Sequence, residues 1–175
     1  MKYFLLCILL FSLNTLRAQV LSFHHGEVEF YTASILSDID AISENVEIEL
    51  DIQTGNVELT LDVNSFEFEY DIMKEHFEEK YMETDKFPQA SFKGKIIQDI
   101  SKNFTVMNVD ASGKLSIHGV TREIEFKVNI SKKDNFMIIK SKVPIAFKDY
   151  NIDEPSILTK SVAKDVEVLS TLYLK

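Results

Sequence analysis

From Val46 to Asn64 the chain alternates apolar and polar residues almost one for one. Val46, Ile48, Leu50 and Ile52 share one parity, and Glu47, Glu49, Asp51 and Gln53 share the other. A period of two is the signature of a strand with one face buried and one face wet. Thr54-Gly55-Asn56 interrupts it as a turn, after which Val57, Leu59, Leu61 and Val63 alternate with Glu58, Thr60, Asp62 and Asn64. The second half repeats the pattern. Val109, Ala111, Gly113, Leu115 and Ile117 precede a turn at His118–Thr121, and Ile124, Phe126, Val128 and Ile130 follow it. After a second turn at Lys132–Asn135 come Met137, Ile139, Ser141, Val143, Ile145 and Phe147. Further strands are predicted near Gly26–Thr32 and Ile39–Ser43, from Pro88 through Ile96, and over Asp165–Leu174, giving about eight in all.

One segment breaks the period. Met73, Phe77 and Tyr81 fall four apart, which places them on one helical face. A short helix over about 72–82 follows, with Asp71 as its N-cap and Pro88 beyond its end. Many strands, one helix and few glycines predict an all-β fold: an antiparallel barrel of about eight strands. Such a barrel has an interior just wide enough for side chains or for one slender ligand.

The first eighteen residues read as a signal peptide rather than as fold. Lys2 supplies the positive start, Tyr3–Leu13 is apolar, and Ala18 offers a small residue for cleavage. The remaining chain, Gln19–Lys175, is expected to be one exported domain, periplasmic or secreted, with no segment able to span a membrane as a helix. Cys7 is the only cysteine, so that domain has no disulfide framework and no thiol nucleophile. It holds 17 basic against 28 acidic residues, a formal net charge of −11, which disfavours nucleic acid and anionic membrane surfaces as partners. The charge is uneven. Residues 19–85 carry 18 acidic and 2 basic side chains, and residues 86–175 carry 10 acidic and 15 basic ones. The plain reading is that outward faces from the two halves attract each other across one closed sheet.

No group of residues supports catalysis. Ser112 and Ser116 lack a histidine–acid partner at recognisable spacing, and no phosphate-cradling glycine loop or zinc signature is present. No cofactor is expected. In His24-His25-Gly26-Glu27 the two histidines are adjacent, so on a regular strand they point to opposite faces and at most one of them joins Glu27 on a metal; a satisfied surface pair is the simpler reading. His76 on the helix, His118 at its turn, and Arg122 beside Lys114 and Thr121 are candidate contacts for a polar head group. A backbone-capping role for the histidines is the simpler alternative.

Two passages carry a family likeness. One is Met73…His76-Phe77…Tyr81…Phe87-Pro88-Gln89-Ala90-Ser91-Phe92-Lys93-Gly94; the other is Gly113-Lys114-Leu115-Ser116-Ile117-His118-Gly119-Val120-Thr121…Phe126. Together, behind a signal peptide, they resemble the YceI-like family of exported bacterial proteins. The resemblance implies a lipocalin-like barrel that binds polyisoprenoids or other long-chain amphiphiles. It places candidate ligand contacts at Phe66, Phe68, Met73, Phe77, Tyr81, Phe87, Phe92, Leu115, Ile117 and Phe126, with the helix as a lid or plug. The stretch Phe66–Asp71 lacks the longer Asp- and Arg-bearing loop that many relatives carry before the helix.

The function expected is therefore non-catalytic: sequestering or carrying an isoprenoid or fatty-acyl lipid, with self-association left open. The alternative is an interaction domain of the envelope or of a stress response, with a filled core and an acidic surface.

Overall fold

The computed structural model describes residues 19–32, 39–153 and 165–175; the segment read as a signal peptide lies outside them. Ten strands form one antiparallel sheet: β1 (Val20–Thr32), β2 (Ile39–Ser43), β3 (Val46–Asp51), β4 (Asn56–Asp62), β5 (Glu67–Phe68), β6 (Gln89–Ile96), β7 (Val106–Ile117), β8 (Val120–Lys133), β9 (Phe136–Ala146) and β10 (Asp165–Leu174). The order runs β10-β9-β8-β7-β6-β4-β3-β1, and pairing of β10 with β1 closes it into an eight-stranded barrel. β2 pairs with β1 beyond β3, and β5 pairs with β2, so the pairs β2–β3 and β4–β5 each act as one interrupted wall strand. Closure gives each barrel strand a neighbour on both sides, with β8 and β9 paired only from Val128↔Ser141 to Lys133↔Phe136. None of the helices among the described residues is long and apolar enough to cross a membrane.

Each interruption is a three-residue step in an otherwise two-residue alternation. Inward positions pass from Phe23 to Gly26, from Ser43 to Val46, and from Val63 to Phe66. The last two breaks are stitched together: the Ser43 and Ser65 hydroxyls lie 2.6 Å apart, and the Ser65 hydroxyl donates to the Asp62 carbonyl. Ser43 is fully buried, so these partners satisfy a polar group that water does not reach.

The outer face explains the uneven charge. Glu49, Glu58, Lys93, Lys114 and Glu123 form one cross-strand row from β3 to β8. The acidic and basic halves meet where β4 pairs with β6, and there Lys93 and Glu58 lie 2.9 Å apart.

The helix starts one residue earlier than a cap at Asp71 would give. Tyr70 is the extended N-cap, its carbonyl accepting from the N–H of Met73, and Asp71 opens the helix α1 (Asp71–His76). An acidic first residue suits the positive end of the helix dipole. Phe77–Tyr81 then forms a wider turn, with the Met82 N–H donating to the Phe77 carbonyl. The turn between β7 and β8 is shorter than His118–Thr121. It consists of His118 and Gly119 alone, both at positive φ (50° and 72°), the geometry of a tight two-residue hairpin.

Candidate functional site

The barrel interior has two zones. At one end Leu50, Val109, Ile130, Leu172 and Leu174 are fully buried, and the fill is side chain against side chain. Toward the other end, inward residues on the same strands keep part of their surface accessible: Leu59, Leu115, Ile124, Phe126, Val143 and Val168 are only half-buried. A side chain that points inward yet keeps accessible surface borders unfilled space. Within this belt Ser141 and Ser170 stand opposite each other, their hydroxyls 2.8 Å apart, so each satisfies the other.

Above the belt two groups close the barrel. Phe30, Phe66, Phe68 and Phe77 form an aromatic cluster, with Phe77 stacked on Phe30 at 5.2 Å and tilted on Phe68 at 5.0 Å. Phe30–Phe66 and Phe66–Phe77 are edge-on at 5.3 Å and 5.6 Å. Such geometry adds attraction beyond area burial. The second group is Ile145, Tyr150 and Ile152, with Tyr81, Met82, Ile117, Val143 and Phe147 packed against it. Leu115 and Val168 touch both this group and the main core.

The candidate chain-binding residues are thus not one cluster. Phe66, Phe68 and Phe77 meet at the aromatic cluster, whereas Tyr81 reaches the second group because the wide turn after α1 swings it away from Phe77. Phe92 and Phe126 meet edge-on at 5.3 Å inside the barrel, and Leu115 and Ile117 sit on the inner face of β7. Phe87 packs on His118, ring centroids 4.6 Å apart. Met73 is half-buried and packs on neither core group. Phe30, Ile124 and Val168 belong to the site by geometry but were not singled out from sequence. Their signal was the parity of β1, β8 and β10.

The head-group candidates converge only in part. His118, with a side chain 9% exposed, holds its Nδ1 3.1 Å from the Tyr150 carbonyl and its Nε2 3.2 Å from Glu83 Oε2. Both partners are acceptors, so both bonds form only when both ring nitrogens carry hydrogen. Arg122 stands opposite Leu115, and its Nε–H donates to the Asp149 carbonyl. His118 and Arg122 therefore grip the short turn Phe147–Tyr150 from the hairpin beneath it. His76 is exposed at the end of α1 and does not join them in any hydrogen bond. The Glu83 carboxyl is held below the usual carboxylate range, first by the hydrogen bond from Lys86 and then, against some burial, by that from His118. Burial pushes the Tyr150 phenol up.

His24 and His25 depart from the regular-strand expectation. A bulge in β1 between Phe23 and His25 turns both rings outward, 5.1 Å apart. His24 stacks on Phe136 at 4.9 Å and His25 on Tyr173 at 4.1 Å. Among the described residues no group of three His, Cys, Asp or Glu is placed to hold a metal.

The fold is shared with solved structures. A polyisoprenoid-binding domain from Saccharophagus degradans, implicated in plant cell wall breakdown, superposes with a TM-score of 0.76 at 16% identity, over 89% of this chain and 97% of that one. BcnA of Burkholderia cenocepacia gives 0.73 at 18% identity, over 85% and 95%. The YceI protein of Campylobacter jejuni gives 0.55 at 15% identity, over 82% and 84%. At such identities these likenesses establish the fold alone. No curated protein matches the chain. The model of the YceI-like domain matches residues 14–173, nearly the whole sequence, and by that match the chain belongs to the YceI-like family.

Proposed function

We propose that this protein binds a long-chain amphiphile, an isoprenoid or fatty-acyl lipid, with the chain lying in the belt lined by Leu59, Leu115, Ile124, Phe126, Val143 and Val168. The observation that carries this reading is the contrast within single strands: Leu172 is buried and Val168 accessible on β10, Ile130 buried and Ile124 accessible on β8. Each methylene moved from water into such a belt is favoured by about 0.8 kcal/mol, so a chain alone gives strong retention. The polyisoprenoid-binding domain of the same fold supports the ligand class. The aromatic cluster and α1 act as the lid. The role is binding rather than catalysis, and the Lys2–Ala18 segment directs the protein out of the cytoplasm.

The solid end of the barrel favours one rival, an interaction domain with a filled core. Native mass spectrometry of the protein purified from its own cells, with lipid extraction, separates the two. A stoichiometric long-chain species is expected. A clean unliganded mass, with no uptake of added farnesol or palmitate, would leave the interaction domain.

A further inference from the structure

The closed wall is interrupted at one level of β1. Its ladder with β3 covers Val20↔Asp51, Leu21↔Leu50 and Ser22↔Glu49, and its ladder with β2 begins again at Val28↔Ser43. Residues 23–27 on one side and 44–48 on the other have no partner across this seam. The register is the same before and after, because β1 slips by one residue at its bulge and the β2–β3 strand slips by one at Glu44–Asn45. Two facing bulges cancel in register and leave the residues between them unpaired.

Two further observations fall at the same place. Gly26 has φ 148°, and a Cβ there would lie 2.3 Å from the Thr171 carbonyl oxygen, so β1 is pressed onto β10, on the side away from β3. A groove of about 520 Å³ occupies the seam, bordered by Phe23, Val46 and Ile48 and rimmed by Glu47, Glu49 and Glu58. Glu49 and Glu58 stand directly opposite each other in the β3–β4 ladder and give the groove an acidic rim. Ile48 stands opposite Leu59, so the groove abuts the accessible belt.

We propose that this seam is a lateral slit through which a ligand's hydrocarbon chain passes between solvent and the belt, with no need for the aromatic lid to lift. The slit rests on the lipid-binding reading and adds the route. Passage there parts no β1–β2 or β1–β3 pair, because neither ladder covers residues 23–27, whereas the wall's other unpaired stretch, residues 120–127 of β8 beside 142–146 of β9, is flanked by the Phe147–Tyr150 turn that Arg122 holds.

The test pins the slit shut. In a Cys7→Ser background, the shared register sets His24 against Glu47, and His24→Cys with Glu47→Cys allows a short reducible bis-thiosulfonate linker to tie β1 to β3. Glu27→Cys with Glu44→Cys ties the other end and serves if the first pair misfolds. Stopped-flow uptake of NBD-labelled farnesol is expected to slow about ten-fold or more on linking and to recover on reduction. A linker between Ser112→Cys and Glu125→Cys, opposite each other in the unbroken β7–β8 ladder, should leave the rate unchanged. Equal uptake by linked and reduced slit variants would overturn the slit while leaving lipid binding intact. Failure of the unlinked protein to take up any probe would overturn both.

Discussion

Gly94 and Gly113 stand directly opposite each other on the inner wall, and β6 and β7 approach so closely there that neither position has room for a side chain. A Cβ on Gly113 would lie 2.4 Å from the Gly94 Cα, and one on Gly94 would lie 2.6 Å from Cζ of Phe92. The Phe92 ring thus lies over the glycine pair and reaches Phe126. Gly113→Ala should destabilise the barrel by about 1–3 kcal/mol in urea denaturation, since backbone must move. Phe92→Leu should recover part of the loss in Gly94→Ala and none in Gly113→Ala.

His118 joins three pieces of chain: its own hairpin, the end of the helical segment at Glu83, and the turn at Tyr150. His118→Asn keeps a residue suited to positive φ but does not reach Glu83. Its amide NH2 stands where Nδ1 does and keeps a donor for the Tyr150 carbonyl, so the expected effect is a lower melting temperature from the lost bond to Glu83. Hydrogen exchange should show the loss locally, with faster exchange at residues 78–87 and little change at 147–152 or in β7–β9. Uniform exchange changes would contradict the latch.

The Glu83 carboxyl is held below its ordinary range, with Lys86 the larger cause and His118 a smaller one. A depressed folded-state value stabilises the protein above the unfolded carboxylate pKa, and that contribution disappears as pH falls through the depressed value. The melting temperature of the native protein should exceed that of Glu83→Gln near neutrality, and the gap should close in acid, below the usual carboxylate range. A gap independent of pH would assign Glu83 a packing role instead.

Phe77 is the member of the aromatic cluster contributed by the helical segment, within 5.0–5.6 Å of Phe30, Phe66 and Phe68. Phe77→Asp places a charge among the three remaining rings and should abolish retention of a co-purified lipid. Phe77→Leu should keep it. Unchanged lipid content in a folded Phe77→Asp protein would remove this face from the site.

The strands and their inward faces were legible because burial on one side enforces a period of two. The last strand lies at Asp165–Leu174 as read, and the inward set on β7 is the one expected from Val109 to Ile117. The interruptions were written in the same alternation as three-residue steps at Phe23–Gly26, Ser43–Val46 and Val63–Phe66, but a turn or a shorter strand fits such a step equally well. Hence β1 begins at Val20 rather than near Gly26, and both histidines of its bulge face outward. The helical stripe Met73–Phe77–Tyr81 assumed a regular helix, and the wide turn at Phe77–Tyr81 splits it between two groups. Which inward residues border empty space depends on how far the opposite wall reaches, and no local pattern encodes that.

The belt is tested most directly by methyl NMR of the protein labelled at Ile, Leu and Val, titrated with farnesol. Leu59, Leu115, Ile124, Val143 and Val168 are predicted to shift, while Leu50, Ile130, Leu172 and Leu174 at the solid end stay in place. Shifts confined to outward methyls, or none at saturating ligand, would contradict a lipid chain inside this barrel.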